Sequence, residues 1–154
     1  MSRAFVRESD EDAEPLPERI IGPHPNFVTP AGLRQIDDRI RELEAARRDA
    51  RQGADKSTLA RIARDLRYWN QRRAAARVVE TIATADAARF GVQVTLELAD
   101  GTQRKFRIVG EDEADPARGR VSWVSPLGKA LLGARLGDSI RFQESDAEIV
   151  GLES

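Results

Sequence analysis

The chain has no cysteine and a single histidine. The first absence removes disulfides and thiol chemistry. Together they remove a zinc site in practice, because zinc takes about four ligands that usually include Cys or several His. The lone His24 stands between Pro23 and Pro25, a proline-rich setting unsuited to a catalytic base. Aromatic residues make up only 5% of the 154, so any core must be aliphatic and modest. No long apolar run occurs, and the first residues are acidic. That pattern predicts neither a signal peptide nor a membrane span, and the cytoplasm is the expected location.

What the chain has in quantity is charge. Charged residues reach 33%, which suits a long solvated helical element. The net charge of −1 hides an uneven distribution. Residues 1–29 carry 3 basic and 6 acidic side chains, residues 30–80 carry 13 and 8, and residues 81–154 carry 9 and 12. Positive charge is therefore concentrated in the middle. Two readings fit: a contact there with nucleic acid, DNA or RNA, or with phosphate, and a solvated helix face whose charges do nothing specific.

The same middle shows helical periodicity. Thr29-Pro30 marks a start, Thr as N-cap and Pro at the first helical position. Leu33, Ile36, Ile40 and Leu43 follow at spacings of 3, 4 and 3, an a/d seam. Gly53 breaks the helix, and Leu59, Ile62, Leu66 and Trp69 repeat the spacing, with Ala74, Ala75 and Ala76 continuing it. Two amphipathic helices joined by a short turn predict an antiparallel hairpin, each seam buried on the other. Before it, residues 1–28 hold Pro15, Pro17, Pro23, Pro25 and the run Glu8-Ser9-Asp10-Glu11-Asp12. This composition predicts a flexible acidic arm, with Ile20, Ile21 and Phe27 as candidate tethers.

After about Thr81 the period changes to two. Val92, Val94, Leu96 and Leu98 alternate as a half-buried strand, Asp100-Gly101 signals a hairpin turn, and Lys105–Val109 returns. Further strands are expected at Val121–Val124, Ser139–Phe142 and Ala147–Leu152, with a short helix opened by Pro126 and ended by Gly133. The expected fold class is α+β: residues 29–80 a helical hairpin (coiled coil), and residues 81–154 a small antiparallel β domain with one short helix.

Two segments carry a resemblance. One is Phe106-Arg107-Ile108-Val109-Gly110-Glu111-Asp112-Glu113-Ala114-Asp115. The other is Val121-Ser122-Trp123-Val124-Ser125-Pro126-Leu127-Gly128-Lys129-Ala130-Leu131-Leu132. They closely resemble the C-terminal domain of the bacterial Gre transcript-cleavage factors. Upstream, Phe27-Val28-Thr29-Pro30-Ala31-Gly32-Leu33 is similar to the opening of that family's hairpin, and Leu59–Val79 to its returning arm. The resemblance implies an FKBP-like C-terminal domain and bacterial RNA polymerase as partner. It places that domain on the β′ rim helices, through Ser125, Pro126, Leu127 and Lys129, with the hairpin entering the secondary channel. Basic residues Arg47, Arg48, Arg51, Lys56, Arg61 and Arg64 would face nascent RNA or acidic channel walls. No enzyme activity, cofactor or metal of its own is implied, nor any membrane contact, and a monomer is expected.

The sequence departs from the family at the hairpin tip. Cleavage-stimulating members carry an acidic pair there, which helps hold the polymerase's active-site Mg²⁺ and its water; hard oxygen ligands suit that ion. Here the stretch is Arg51-Gln52-Gly53-Ala54-Asp55-Lys56-Ser57-Thr58. Asp55 is the one acid, and it also reads as a turn or N-cap residue. The arms are shorter by roughly nine residues each, about 13 Å of reach. In both respects the chain is similar to the short-coil relative Rnk. The resemblance thus implies modulation of elongation or initiation, by occluding the channel or by competing with other channel factors, without strong cleavage stimulation. A genuine cleavage factor using Asp55 is the alternative within the family. An FKBP-like scaffold or coiled-coil adaptor is the alternative outside it.

Overall fold

The computed structural model describes residues 16–81 and 86–154. The acidic run expected at residues 8–12 lies outside them. The described chain is α+β, a pair of helices followed by a curled sheet.

Helix α1 spans Pro30–Ala50 and helix α2 spans Lys56–Ala75. Thr29 caps α1, its hydroxyl accepting from the Gly32 amide at 3.0 Å. The helices run antiparallel: Arg73, near the end of α2, pairs with Asp37, near the start of α1, at 2.6 Å. Ile36, Leu43 and Leu66 are buried between them, while Leu33, Ile40, Leu59, Ile62 and Trp69 are half-buried. The alanine continuation of the seam is not found. Ala74 and Ala75 are exposed, because α2 stops there and Ala76 turns to extended backbone.

That turn creates an element absent from the sequence reading. Strand β1, Asn26–Val28, pairs in parallel with β2, Ala76–Val78, with Asn26 opposite Ala76 and Val28 opposite Val78. The expected arm therefore ends before Asn26, which is buried, as are Val28 and Thr29. Ile20 and Ile21 do not tether it; Ile20 is 93% exposed. Phe27 does pack, its ring 5.2 Å from that of Trp123.

The sheet contains β3 (Gln93–Glu97), β4 (Gln103–Val109), β5 (Arg120–Ser122), β6 (Ser139–Phe142) and β7 (Ser145–Glu153). Its spatial order is β5-β4-β3-β7-β6. Alternation makes one face apolar, and Val94, Leu96, Phe106, Ile108 and Ile149 meet Leu131 of the short helix α3, Pro126–Leu131, in the core. The Asp100-Gly101 turn forms as expected, with the Asp100 carboxylate accepting from the Thr102 amide at 2.9 Å. One expectation fails: the sheet is not wholly antiparallel, since β4 and β5 run parallel, Ile108 opposite Val121. Two 3₁₀ turns, Glu111–Glu113 and Pro116–Arg118, carry the chain back between them. These turns read as loop in sequence, so the reversal of direction was not visible.

Leu66 is 5% exposed and fills the space between the helices. Leu66→Ala should lower stability by about 2–4 kcal/mol, read as a shift of the urea-denaturation midpoint at unchanged slope. A loss below about 0.5 kcal/mol, the range of ordinary surface substitutions, would mean that the helices do not share a packed seam.

Candidate functional site

Three places carry the chemistry: the junction between helices and sheet, the turn between the helices, and the start of α3. The junction sets the direction of everything beyond it. The loop after β4 lies against the helix base because it has no side chain in the way. A Cβ on Gly110 would strike the Phe27 carbonyl, and one on Gly32 would strike the Glu113 carboxylate. Into that contact Glu113 is buried. Its Oε2 accepts from the amides of Thr29 and Gly110, each at 3.0 Å, and its Oε1 from the Thr29 hydroxyl. The carboxylate thus occupies the N-terminus of α1, where the helix dipole favours negative charge.

Beside it Arg72 is buried, with 3% of its side chain exposed. Its Nε donates to Asp112 at 2.6 Å and its Nη2 to Asn26 at 2.7 Å. Glu111 completes the set at 3.4 Å, and the Asn26 amide donates back to the Arg72 carbonyl at 2.8 Å. The Tyr68 hydroxyl donates to the other Asp112 oxygen. Burial first, then this bond and the charge of Asp112, push the Tyr68 pKa up to about 12. None of Arg72, Tyr68, Asp112 and Glu113 was singled out as a site residue. The available signal was an arginine one turn past the seam residue Trp69, together with an acidic run directly after a strand.

At the other end of the helices, Arg51 closes α1 and Gly53 takes a positive φ, a backbone state that favours glycine. Asp55 is the N-cap of α2: its Oδ1 accepts from the Thr58 amide at 2.8 Å. Hydrogen bonding to Thr58 holds its pKa below the usual carboxylate value. A single capping carboxylate, with Lys56 next in the chain, is a poor fit to Mg²⁺, which wants near-octahedral oxygen ligation. Among the described residues no three His, Asp or Glu side chains converge where they could hold a metal. Arg47, Arg48, Arg51, Lys56 and Arg61 are all exposed around this turn. Arg64 differs: it is half-buried, further along α2, and paired with Asp65 at 3.1 Å.

The α3 residues have local structural duties first. Ser125 caps the helix, accepting from the Gly128 amide at 3.0 Å and donating to the Ser122 carbonyl at 2.7 Å. Pro126 is the first helical residue, and a Cβ on Gly128 would strike the Ser122 carbonyl. Above that frame Pro126 and Lys129 are exposed and Leu127 half-buried. Ser125, Pro126 and Leu127 edge an open groove of about 390 Å³ floored by Phe106, Val121 and Phe142. Arg104 lies over both phenyl rings, at 5.4 and 5.8 Å from their centres. Lys129 is on the same helix but does not line the groove. The arrangement can grip an apolar, partly acidic protein surface; it holds no catalytic set.

Residues 83–151 match the family model described as transcription elongation factor, GreA/GreB, C-term. A transcription elongation factor GreB of Neisseria meningitidis is 33% identical over 135 residues, covering 75% of this chain and 83% of that protein. A GreB of Xanthomonas axonopodis pv. citri is 40% identical over 132 residues, covering 73% and 79%. Among solved structures, a GreA/GreB factor from Nitrosomonas europaea is 17% identical, covers 84% of this chain and 99% of that one, and gives a TM-score of 0.43.

Tyr68 is the only tyrosine, so its phenolate absorbance reads the junction alone. Its titration should centre near about 12, against roughly 10 for an unperturbed tyrosine. The raised value favours the neutral phenol in the folded state. Its stabilising contribution is therefore complete below the unfolded pKa and is lost as pH rises through the folded one. Asp112→Asn should lower the midpoint. Arg72→Ala, which strands Asp112, should cost about 3–5 kcal/mol in denaturation. An ordinary tyrosine titration would show that the junction stands open to solvent.

Proposed function

The chain belongs to the GreA/GreB family of transcription elongation factors, and from that membership we propose that it binds bacterial RNA polymerase at the secondary channel and modulates elongation without strongly stimulating transcript cleavage. In this reading the sheet domain, taken as FKBP-like, docks outside the channel on the β′ rim helices. The groove beside Ser125, Pro126 and Leu127 supports that role, since its apolar floor and the overlying Arg104 suit a helical surface carrying acidic residues. Lys129 adds an exposed cation on the same helix, outside the groove. The helices, taken as an antiparallel coiled coil, enter the pore as a monomer. Helix α1 has 21 residues, about 32 Å of reach.

The observation that carries the non-cleaving reading is at the turn. Its one carboxylate, Asp55, already caps α2, and exposed cations surround it. Such a tip is suited to RNA phosphates or acidic channel walls, and offers Mg²⁺ little. The alternative, cleavage through Asp55, draws on the exposure of that residue alone. Action on polymerase would place the protein in the cytoplasm.

Added to backtracked polymerase, the protein should not accelerate release of short 3′ RNA fragments, and it should slow cleavage driven by a cleavage-competent Gre factor. Strong cleavage by the protein itself, abolished by Asp55→Ala, would overturn the reading in favour of the alternative. Pro126→Asp should weaken polymerase binding at least about tenfold, or about 1.4 kcal/mol, with the circular dichroism unchanged. Full affinity in the folded variant would remove this surface from the interface, and failure of the unaltered protein to retain polymerase would favour a scaffold role.

A further inference from the structure

We propose that residues 16–25 act as a strap between α2 and the sheet, held to α2 by charge and stacking, and that its grip limits how far the paired helices swing about the junction. The segment touches both bodies. Glu18 accepts from Nε of Arg67 through both carboxylate oxygens, at 3.0 and 3.2 Å. The Arg19 guanidinium lies 3.8 Å from the centre of the Tyr68 ring, 5.5 Å from that of Trp69 and 3.7 Å from Asp65. Asp65 also holds Arg64, so one half-buried carboxylate serves an arginine from the strap and one from the helix. At the other end the His24 ring meets Trp123 edge-on, with 5.7 Å between centres. The Trp123 amide donates in turn to the Val109 carbonyl of β4 at 3.0 Å. Between the two grips Gly22 passes Glu111, and a Cβ on it would stand 3.6 Å from that carboxylate.

Composition suits the segment to this use. Pro17, Pro23 and Pro25 fix their own φ and push the residues before them toward extended backbone. Extended chain from Glu18 to His24 spans about 20 Å. Apolar burial does not hold it, since Ile20 is 93% exposed.

The junction holds the helices at their base. From Arg72 to Lys56, where α2 begins, is about 24 Å of helix, so small play at the base grows along that length. Tyr68, bonded to Asp112, extends the held part of α2 to about 6 Å beyond Arg72. The strap carries it on to Asp65, about 10 Å beyond Arg72. For the same atomic play, angular freedom falls as the held length grows, so release of the strap widens the swing roughly 1.7-fold.

The grip on α2 is reversible. An exposed pair such as Glu18–Arg67 is weak alone and is screened by salt, and a guanidinium stacked on an accessible ring is of the same order. Losing these contacts leaves the base in place, because Asn26 and Val28 are buried there and Asn26 is bonded to Arg72.

The test uses the full chain without polymerase, so its failure is separable from that of the proposed function. With no native cysteine, Gln52→Cys and Ser139→Cys, both at exposed positions, carry one nitroxide each, at the turn and on the sheet. Pulsed double electron–electron resonance reads the spread of distances between them. Glu18→Gln with Arg19→Gln should widen that spread by about the lever ratio, roughly 1.7-fold, with circular dichroism unchanged. Salt at about 1 M, where the Debye length is about 3 Å, should widen it in the chain with its natural strap. Arg67→Glu alone should also widen it, and adding Glu18→Arg should narrow it again, a rescue that general destabilisation would not give. A spread indifferent to the strap substitutions, a spread indifferent to salt, or a charge exchange that fails to narrow it would each overturn the proposal.

Discussion

The burial of Arg72 and Glu113 between the helices and the sheet is the constraint on which the rest of the molecule depends. Each charge lies out of water and each is surrounded by oriented partners: Asp112, Asn26 and Glu111 for the guanidinium, the Thr29 and Gly110 amides for the carboxylate. A buried ion pair contributes little net stability compared with an apolar contact of the same shape. What it supplies is direction. An apolar junction of helices on a small sheet can slide or rotate at small cost, whereas a guanidinium with fixed donor angles cannot. These contacts tie the end of α2 to β1 and to the loop after β4.

Two chemistries compete for the same residue at that turn. A helix start needs an oxygen to accept its free amides, and Asp55 supplies it through Thr58. A metal-binding tip needs carboxylates that are unoccupied and close together. A sequence with one acid there can meet the first need well and the second only poorly. The cations around it reverse the sign of the tip, which suits it to an anion.

Several motif residues that invite a functional reading have a packing reason in the structure. Gly110 and Gly32 permit the junction, Gly128 permits α3 to approach the Ser122 carbonyl, and Ser125 and Pro126 start that helix. This does not remove Pro126 and Leu127 from the groove edge. The helix periods, the Thr29-Pro30 start, the Asp100-Gly101 turn and the alternation in β3 were legible because each is a local rule. The parallel β1–β2 pair, the parallel β4–β5 pair and the burial of Arg72 were not. Each depends on a residue distant in sequence, and the three-residue strands β1 and β2 carry too little periodicity to announce themselves.

The sequence by itself determined the two helices, the alternating strands, the lack of thiol chemistry and the segregation of charge, because spacing and composition act on neighbours in the chain. It also carried the family, through the runs after Phe106 and Val121. Tertiary structure decided which charges are committed and which are available. Arg64 and Arg72 look like their neighbours in sequence, yet one is paired with Asp65 and the other is buried at the junction. Arg61 remains exposed in solvent. The physical reason is that the use of a charge is fixed by its burial and by the partner opposite it. Both are set only when the loop after β4 folds back on the base of the helices.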